Sequence, residues 1–246
     1  MKIIKRVIGR LKFEINSILI PILYGKILYS FDEKWFRGKR VAIVGGADSV
    51  LNEKLGDYID GFDIVVRINK GVEVIETQHQ YVGKRTDVLF HSLYVRENDK
   101  GSSPFTTDLW KKNNVGKIIF AHNYKVNSYA MFNLLDFIKS TKKKIRLSQV
   151  QKNVYVSCIK ALTQGPTTGF MAINSVFYCQ PRELYITGIT FFKTPHNSCY
   201  RDIQNSYIET VQHNIEEEYN YVKQLYNKNK SVIIPDKMLR QIFETN

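Results

Sequence analysis

Short apolar runs alternate with longer helical segments along most of this chain, and no other feature limits its possible folds so strongly. The apolar runs lie at residues 41–44, 64–68, 88–91, 117–121, 154–158 and 184–187, and the helices are predicted at 129–139, 168–179 and 203–225. Strands separated by helices are typical of a parallel, doubly wound sheet, and 246 residues suffice for one large core. The sequence therefore predicts an α/β fold: a single Rossmann-like domain with a mostly parallel sheet flanked by helices. Polar stretches at 92–114 and 193–201 are the expected long loops.

The N-terminal residues differ from the rest in charge and pattern. Residues 1–40 contain ten basic and three acidic groups, and they carry +7 of the formal net charge of +13. Isoleucines and leucines are interleaved with these charges, which predicts a basic amphipathic helical segment. Its apolar run is far shorter than the ~20 residues that span a bilayer. We expect residues 1–38 to lie on an anionic membrane surface and residues 39–246 to form the α/β domain. The alternative is a pair of helices that packs on the domain and shows its lysines to water.

Two strand ends carry residues suited to nucleotide binding. Gly45 and Gly46 end the first apolar run, at the sheet edge where parallel sheets bind ligands. Without Cβ atoms, they would allow backbone amides to approach a phosphate or a nucleotide ring. Asn69, after the second run, offers a donor and an acceptor to a ribose or a phosphate. Ordinary turns at both places are the alternative. Arg67 is expected to be structural and to need a carboxylate partner.

A third candidate element opens a helix. Pro166, Thr167, Thr168 and Gly169 precede the apolar segment 170–178. Hydroxyls and unsatisfied amides at a helix N-terminus favour an anion. An ordinary N-cap by one of the threonines would use the same residues and is compatible with anion binding.

Late histidines supply acid–base chemistry. His213 can titrate near neutral pH and could take a proton from an attacking hydroxyl. A carboxylate on the other ring nitrogen would orient it, and on a regular helix Glu217 shares its face. The alternative is a solvated histidine on the acidic helix face that includes residues 216–218.

Taken in order, these segments resemble the sialylmotifs of glycosyltransferase family 29, the eukaryotic-type sialyltransferases. The long motif is matched at 41–45, by Asp-Ile-Val-Val-Arg-Ile-Asn at 63–69 and by Val-Gly-Lys-Arg-Thr at 82–86; the short motif is matched at 166–169, at Cys179 and at 184–188. The His-x4-Glu motif falls on His213 and Glu218, and His196 stands where the family has a histidine-led third motif. The resemblance covers roughly residues 40–225. The chain departs from it at residues 46–48, where the family has an asparagine, and at the missing cysteine partner of Cys179.

The resemblance implies an inverting, metal-independent glycosyltransferase with a GT-A-like variant of the fold. It would transfer sialic acid from its cytidine monophosphate (CMP) donor to a glycan hydroxyl. His213 would be the base, His196 would stabilise the departing phosphate, and Glu218 would partner His213, with Glu217 as the geometric rival. The donor-binding residues would be Gly45, Gly46, Asp48, Asn69, Thr167, Thr168 and Gly169. No cofactor is expected besides the donor substrate, and the absence of an Asp-x-Asp motif fits a monophosphate leaving group.

Several alternatives remain open. Another CMP-activated acidic sugar, such as Kdo, is the rival donor, and the acceptor is expected to be a cell-surface glycan of the lipooligosaccharide or capsule type. The net charge of +13 and the 15 tyrosines suggest a nucleic-acid-binding protein. Because the basic excess lies in an apolar-rich N-terminus, we expect no nucleic-acid partner.

The reading as a nucleotide-dependent oxidoreductase is weakened because this chain lacks the Gly-x-Gly-x-x-Gly fingerprint of that class. Three scattered cysteines fit a reducing cytoplasm, so we expect the protein on the inner face of the cell membrane.

Overall fold

A computed structural model describes residues 2–96, 103–201 and 213–245. The described residues form one sheet of seven strands, ordered β5-β4-β3-β2-β1-β6-β7, in which every paired strand is parallel to its neighbour. The strands are β1 (Arg40–Val44), β2 (Ile64–Ile68), β3 (Val88–His91), β4 (Lys117–Phe120), β5 (Ser148–Gln149), β6 (Glu183–Thr187) and β7 (Ile233–Pro235). The helices are α1 (Lys2–Tyr24), α2 (Gly56–Asp60), α3 (Ile75–Val82), α4 (Thr107–Lys112), α5 (Ser128–Ser140), α6 (Lys152–Ala161), α7 (Thr168–Tyr178), α8 (Ile215–Lys228) and α9 (Lys237–Glu244). The predicted α/β fold is confirmed.

The strand order reverses between β1 and β6, and this reversal locates the ligand-binding crevice. From β1 the chain builds outward through β2 to β5, and then returns to add β6 on the other side of β1. The two strands are in register, with Val44 opposite Thr187. Connections leave such a pair in opposite directions, so a crevice forms at the carboxyl ends of the two strands.

Alternate residues of the strands point to opposite faces of the sheet and pack into two apolar layers. In β1, Val41 and Ile43 lie in the cluster that contains the buried face of α7, whereas Ala42 and Val44 lie in the cluster that contains residues of α2. Both faces of the sheet are therefore covered, as expected for a parallel sheet of near-continuous apolar strands.

Arg67 is a fully buried structural residue, as expected, but the prediction that it pairs with a carboxylate is wrong. The guanidinium donates to the hydroxyl of Thr86 and to the carbonyls of Val82 and Gly83, at 3.0, 2.8 and 2.9 Å. Burial lowers the pKa of Arg67 to about 10. Backbone carbonyls replace the carboxylate because the whole 82–86 segment wraps this side chain. The contact connects two parts of the long-motif match.

The run at 154–158, predicted to be a strand, is part of helix α6. Its buried residues Val154, Tyr155 and Cys158 follow a spacing of one and three residues, which is helical rather than alternating. The short strands β5 and β7 were not predicted, and α4 lies within the expected 92–114 loop. The predicted helix at 203–225 corresponds to α8 only from Ile215, and residues 203–212 lie outside the described part of the chain.

The N-terminal segment forms one helix, α1, with two different faces. Ile20 is buried, and Phe13 and Tyr24 pack against the same apolar cluster of the domain. The opposite face exposes a set of large apolar side chains: Ile8, Leu11, Ile15, Ile18, Leu19, Ile22 and Leu23. Within the described residues, no helix has both the length and the apolar character needed to cross a membrane. The packed-helix alternative therefore holds for one face of α1 only.

Candidate active site

A cleft of about 310 Å³ lies at the carboxyl ends of the central strands. It is lined by all the predicted site residues except one: Gly45, Gly46, Asn69, Thr167, Thr168, Gly169, His196, His213 and Glu218. Asp48 does not line it, so the expected contact of Asp48 with a donor is not supported. The amide of Asp48 instead donates to the carbonyl of Pro195 at 2.9 Å, which joins the glycine turn to the segment that carries His196.

The two glycines are required mainly by packing. A Cβ atom on Gly45 would lie 2.2 Å from the carbonyl oxygen of Gly188, and one on Gly46 would lie 2.6 Å from the ring of Tyr200. The amides of Gly45 and Ala47 donate to backbone carbonyls at the end of β6. Because these donors are already used, the turn is a poorer phosphate cradle than the sequence suggested. Its role in the structure is to let β1 and β6 end close together beneath the cleft.

Asn69 connects three elements at the floor of the cleft. Its backbone is left-handed, with φ of 47°, a conformation that asparagine tolerates better than most residues. The side-chain oxygen accepts from the amide of Ser92 at 2.9 Å, and the side-chain nitrogen lies 3.4 Å from the hydroxyl of Thr168. Asn69 thus ties the ends of β2 and β3 to the start of α7.

Helix α7 directs its N-terminus at the cleft, and Thr167 is its N-cap. The Thr167 hydroxyl accepts from the amide of Phe170 at 3.1 Å and donates to a Glu218 carboxylate oxygen at 2.6 Å. The Thr167 amide donates to the other carboxylate oxygen, also at 2.6 Å. The capping alternative is therefore correct for Thr167. The amides of Thr168 and Gly169 stand in the first helical turn, where no intrahelical acceptor exists, and these two are placed to bind an anion.

His213 is oriented by a backbone carbonyl. Its Nδ1 atom lies 2.5 Å from the oxygen of Gly165, and a carbonyl can only accept, so Nδ1 carries a proton. Burial lowers the pKa of His213 below its ordinary value, and this outweighs the hydrogen bond to Gly165. The ring is therefore neutral at neutral pH, and since its one proton is on Nδ1, Nε2 is unprotonated, the tautomer that a general base needs.

Neither glutamate partners His213 as expected. Glu218 is 1% exposed and bonds to Thr167, and Glu217 accepts from the amide of Thr163 at 2.7 Å. The reason is that α8 begins only after its N-cap Asn214, so His213 precedes the helix and the spacing rule for a shared helical face does not apply. Burial raises the pKa of Glu218 to about 7, opposed by its two bonds to Thr167.

His196 lies between two aromatic rings and is neutral in this structure. Its ring centroid is 5.2 Å from that of Phe192 and 5.7 Å from that of Tyr200. Burial, followed by the charge of Arg201, lowers the pKa of His196 to about 4. The expected cationic role would require His196 to take up a proton when an anion binds. Arg201, which lines the cleft and is 8% exposed, already carries a positive charge there and was missed in the sequence.

A second polar group in the cleft was also missed. Nδ1 of His122 lies 3.3 Å from the hydroxyl of Tyr155, and the side-chain amide of Asn127 donates to the same hydroxyl at 3.2 Å. Burial and then the charge of His213 lower the pKa of His122 to about 4. His122 follows the end of β4, so the rule on strand ends could have identified it. Tyr155 was not recognised as a cleft residue because its segment was predicted to be a strand.

Two sequence expectations concern cysteines and metal ligands. Cys158, Cys179 and Cys199 are all free, as expected for a chain without a disulfide framework. Over the three described ranges, no group of three or more histidine, cysteine, aspartate or glutamate side chains is placed to hold a metal ion.

Comparison with known proteins finds a family match over part of the chain. Residues 30–123 match the model of glycosyltransferase family 29 (sialyltransferase). The matched range includes Gly45, Asn69 and His122. Among curated protein sequences, none matches the chain.

Solved sialyltransferases share the fold. Cst-I, a monofunctional α-2,3-sialyltransferase from Campylobacter jejuni, is 15% identical with a TM-score of 0.55, over 88% of this chain and 82% of its own. A mammalian sialyltransferase in complex with Gal-β-1-3GalNAc-ortho-nitrophenol is 19% identical with a TM-score of 0.53, over 84% of this chain and 72% of its own. CstII from C. jejuni in complex with CMP-3FNeuAc is 16% identical with a TM-score of 0.51, over 80% of each chain. The resemblance seen in the sequence motifs is confirmed by the match to family 29 over residues 30–123, and the fold is the one found in solved sialyltransferases.

Proposed function

We propose that this chain is an inverting, metal-independent glycosyltransferase that moves sialic acid from CMP-sialic acid to a hydroxyl of a cell-surface glycan. One observation carries the proposal. The same cleft contains a helix N-terminus suited to an anion and His213, whose Nε2 atom is free to accept a proton. A similar fold in CstII was solved with CMP-3FNeuAc, which supports a CMP-sugar as the donor.

The residues divide between donor and acceptor. The amides of Thr168 and Gly169 bind a donor anion at the start of α7, and Arg201 and protonated His196 stabilise the negative charge that develops on CMP. Nε2 of His213 takes the proton from the acceptor hydroxyl. The acceptor oxygen forms a bond to the anomeric carbon from one side, while the bond from that carbon to the phosphate oxygen breaks on the other. That electron pair leaves with CMP, and the Gly165 carbonyl stabilises the imidazolium through Nδ1.

Kdo is the alternative donor sugar. It is also an acidic sugar activated as a CMP ester, so the same anion-binding groups would serve it. The proposed acceptors are glycans of the lipooligosaccharide or capsule type. Product mass spectrometry with CMP-sialic acid and CMP-Kdo offered together distinguishes the donors, because the two products differ in mass.

Binding and metal dependence are tested together. We expect CMP to raise the melting temperature of the protein, while ATP, NAD and single-stranded DNA do not, since only a ligand of the folded state stabilises it. We expect transfer to continue in EDTA. Absence of any CMP effect would reject the donor class. Loss of activity in EDTA with recovery on added Mn²⁺ would reject the metal-free mechanism but leave the donor class intact.

The proposal includes a location on the inner face of the cell membrane. The exposed apolar face of α1 runs along the side opposite Ile20, and basic residues such as Lys12 lie beside it. An apolar face bordered by positive charge fits the headgroup region of an anionic bilayer, with α1 lying in the membrane plane.

A further inference from the structure

Asn197 lies at the centre of the 195–201 loop, which carries His196 and Arg201 into the cleft. Asn197 is only 2% exposed, and its backbone amide donates to the carbonyl of Gly46 at 2.9 Å. Its own carbonyl accepts from the amides of Tyr200 and Arg201, at 2.8 and 2.9 Å. These backbone bonds fix the path of the loop before and after Asn197.

The side chain of Asn197 also requires partners, because a buried amide group without hydrogen bonds is costly. Its Oδ1 atom accepts from the amide of Cys199 at 3.0 Å and from Nε2 of Gln78 at 3.2 Å. Its Nδ2 atom donates to Oε1 of Gln78 at 2.5 Å. The two side-chain amides are thus paired in both directions, although they are 119 residues apart in the chain. This pair connects helix α3 to the 195–201 loop.

Helix α3 is kinked at the residue that makes this pair. Gln78 has φ of −130° and ψ of 18°, which are not helical angles. Glutamine is a good helix former, so the kink does not follow from the preference of the residue itself. Thr77, His79 and Gln80 are exposed, whereas Gln78 is partly buried. The kink therefore coincides with a side chain that faces inward and meets Asn197.

We infer that Gln78 is a positioning residue of the donor site, which acts through Asn197. The Asn197 carbonyl holds the amide of Arg201, and the neighbouring His196 pairs with Ala47 as an antiparallel bridge. Neither Gln78 nor Asn197 lines the cleft, so their effect on the reaction is indirect. The inference rests on the proposed function, because it concerns the groups assigned there to the negative charge of CMP.

The amide pair holds only one side of the site. The base is fixed separately, by the contact of His213 with Gly165, and the start of α7 is fixed by the contact of Thr167 with Glu218. Loss of the pair should therefore displace the groups that face the phosphate and leave the base in place.

Two matched substitutions test the inference. Gln78→Met keeps the length of the side chain and removes its amide group. Gln80→Met makes the same change two residues further along α3, where the glutamine is exposed and does not line the cleft. The probes are CMP and cytidine, which differ by the phosphate, and their affinities are measured by ligand-observed NMR titration. Asn197→Ala, alone and combined with Gln78→Met, completes a double-mutant cycle.

We expect Gln78→Met to weaken CMP roughly tenfold, the order of a lost charge-assisted contact, and to change cytidine affinity little, because cytidine has no anion. The kcat for transfer should fall as well, since the same charges stabilise departing CMP. The midpoint of the acidic limb of kcat/KM should stay that of the wild type, because His213 does not move. Gln80→Met should match the wild type. In the Asn197→Ala background, the change at Gln78 should have little further effect.

Each contrary result has a distinct meaning. Equal CMP affinity of Gln78→Met and Gln80→Met rejects the inference. Equal weakening of CMP and cytidine also rejects it, because the loss would then be general and not directed at the phosphate. Additive effects of the changes at Gln78 and Asn197 show that Gln78 does not act through Asn197. Failure of the wild type to bind CMP rejects the proposed function instead, because no variant is involved.

Discussion

The two motif histidines contact different groups, and this separates their expected roles. His213 is fixed by a backbone carbonyl on Nδ1, which leaves Nε2 unprotonated in the neutral ring, whereas His196 lies between two aromatic rings beside the charge of Arg201. We expect His213→Ala to lower kcat by roughly 10²- to 10⁴-fold, the usual contribution of a general base, and to leave the Kd of CMP nearly unchanged. His196→Ala should slow transfer and also weaken CMP. Near-full activity of His213→Ala, or an equal loss of CMP affinity in both variants, would show that the base is assigned wrongly.

The pH dependence of the reaction gives a second prediction for His213. Only the neutral ring accepts a proton, and burial lowers the pKa of His213 below its ordinary value of 6.5. The reactive form therefore predominates above a pKa that lies on the acid side of 6.5. We expect kcat/KM to rise with pH along an acidic limb whose midpoint is below pH 6.5. Steady-state rates from pH 4.5 to 8 check this, and a midpoint above pH 7 would contradict it.

At the scale of elements, the contact between α8 and α7 makes stability depend on pH. Glu218 is buried against Thr167, and its pKa rises from 4.5 to about 7 on folding. The folded state thus holds a proton that the unfolded state has lost between these values, so the free energy of unfolding falls as pH rises through that window. By linkage the loss is at most about 3 kcal/mol. Glu218→Gln cannot ionise, so urea unfolding from pH 4.5 to 7.5 should show a smaller decrease for this variant than for the wild type. Parallel curves would contradict the prediction.

Elements were predictable where several residues repeat one pattern. Strands β1 to β4 and β6 are runs of four or five mostly buried residues, so their apolar character is clear in the sequence. The two- and three-residue strands at the sheet edges carry too few side chains to show a pattern. Helix α6 was misassigned because its β-branched and aromatic residues favour strands, and packing on the domain overrode that preference.

The sequence predicted which residues line the cleft better than it predicted the hydrogen-bond partners of those residues. Nearly all the motif residues line one cleft, because the parallel sheet brings its strand ends to one edge. Their partners depend on where helices begin, which single-sequence patterns locate poorly. His213 precedes α8, and so it meets Gly165 rather than Glu218. Arg201 belongs to no motif match, and only the fold places it in the cleft. His122 belongs to none either, but it directly follows the predicted run at 117–121, where the rule on strand ends could have identified it.

At the scale of the whole molecule, the two-faced helix α1 predicts how the protein meets a membrane. Removing α1 would be an ambiguous test, because Ile20 and its neighbours complete an apolar cluster of the domain. Point changes on the outer face avoid this. Ile18 and Ile22 are 65% and 72% exposed, so replacing both with serine should leave the melting temperature nearly unchanged.

We expect the double variant Ile18→Ser/Ile22→Ser to sediment with phosphatidylglycerol vesicles at least roughly tenfold less than the wild type, since two apolar side chains no longer enter the interface. Phe132→Ser is the control: it removes an exposed ring outside α1 and should sediment like the wild type.

Binding of the wild type should weaken on vesicles of phosphatidylcholine alone and at high salt, because the basic residues of α1 contribute about 1 kcal/mol each near an anionic surface. Equal sedimentation of the double variant and the wild type would show that the apolar face of α1 does not enter the membrane. Equal binding to neutral and anionic vesicles would show that its charge does not select the surface.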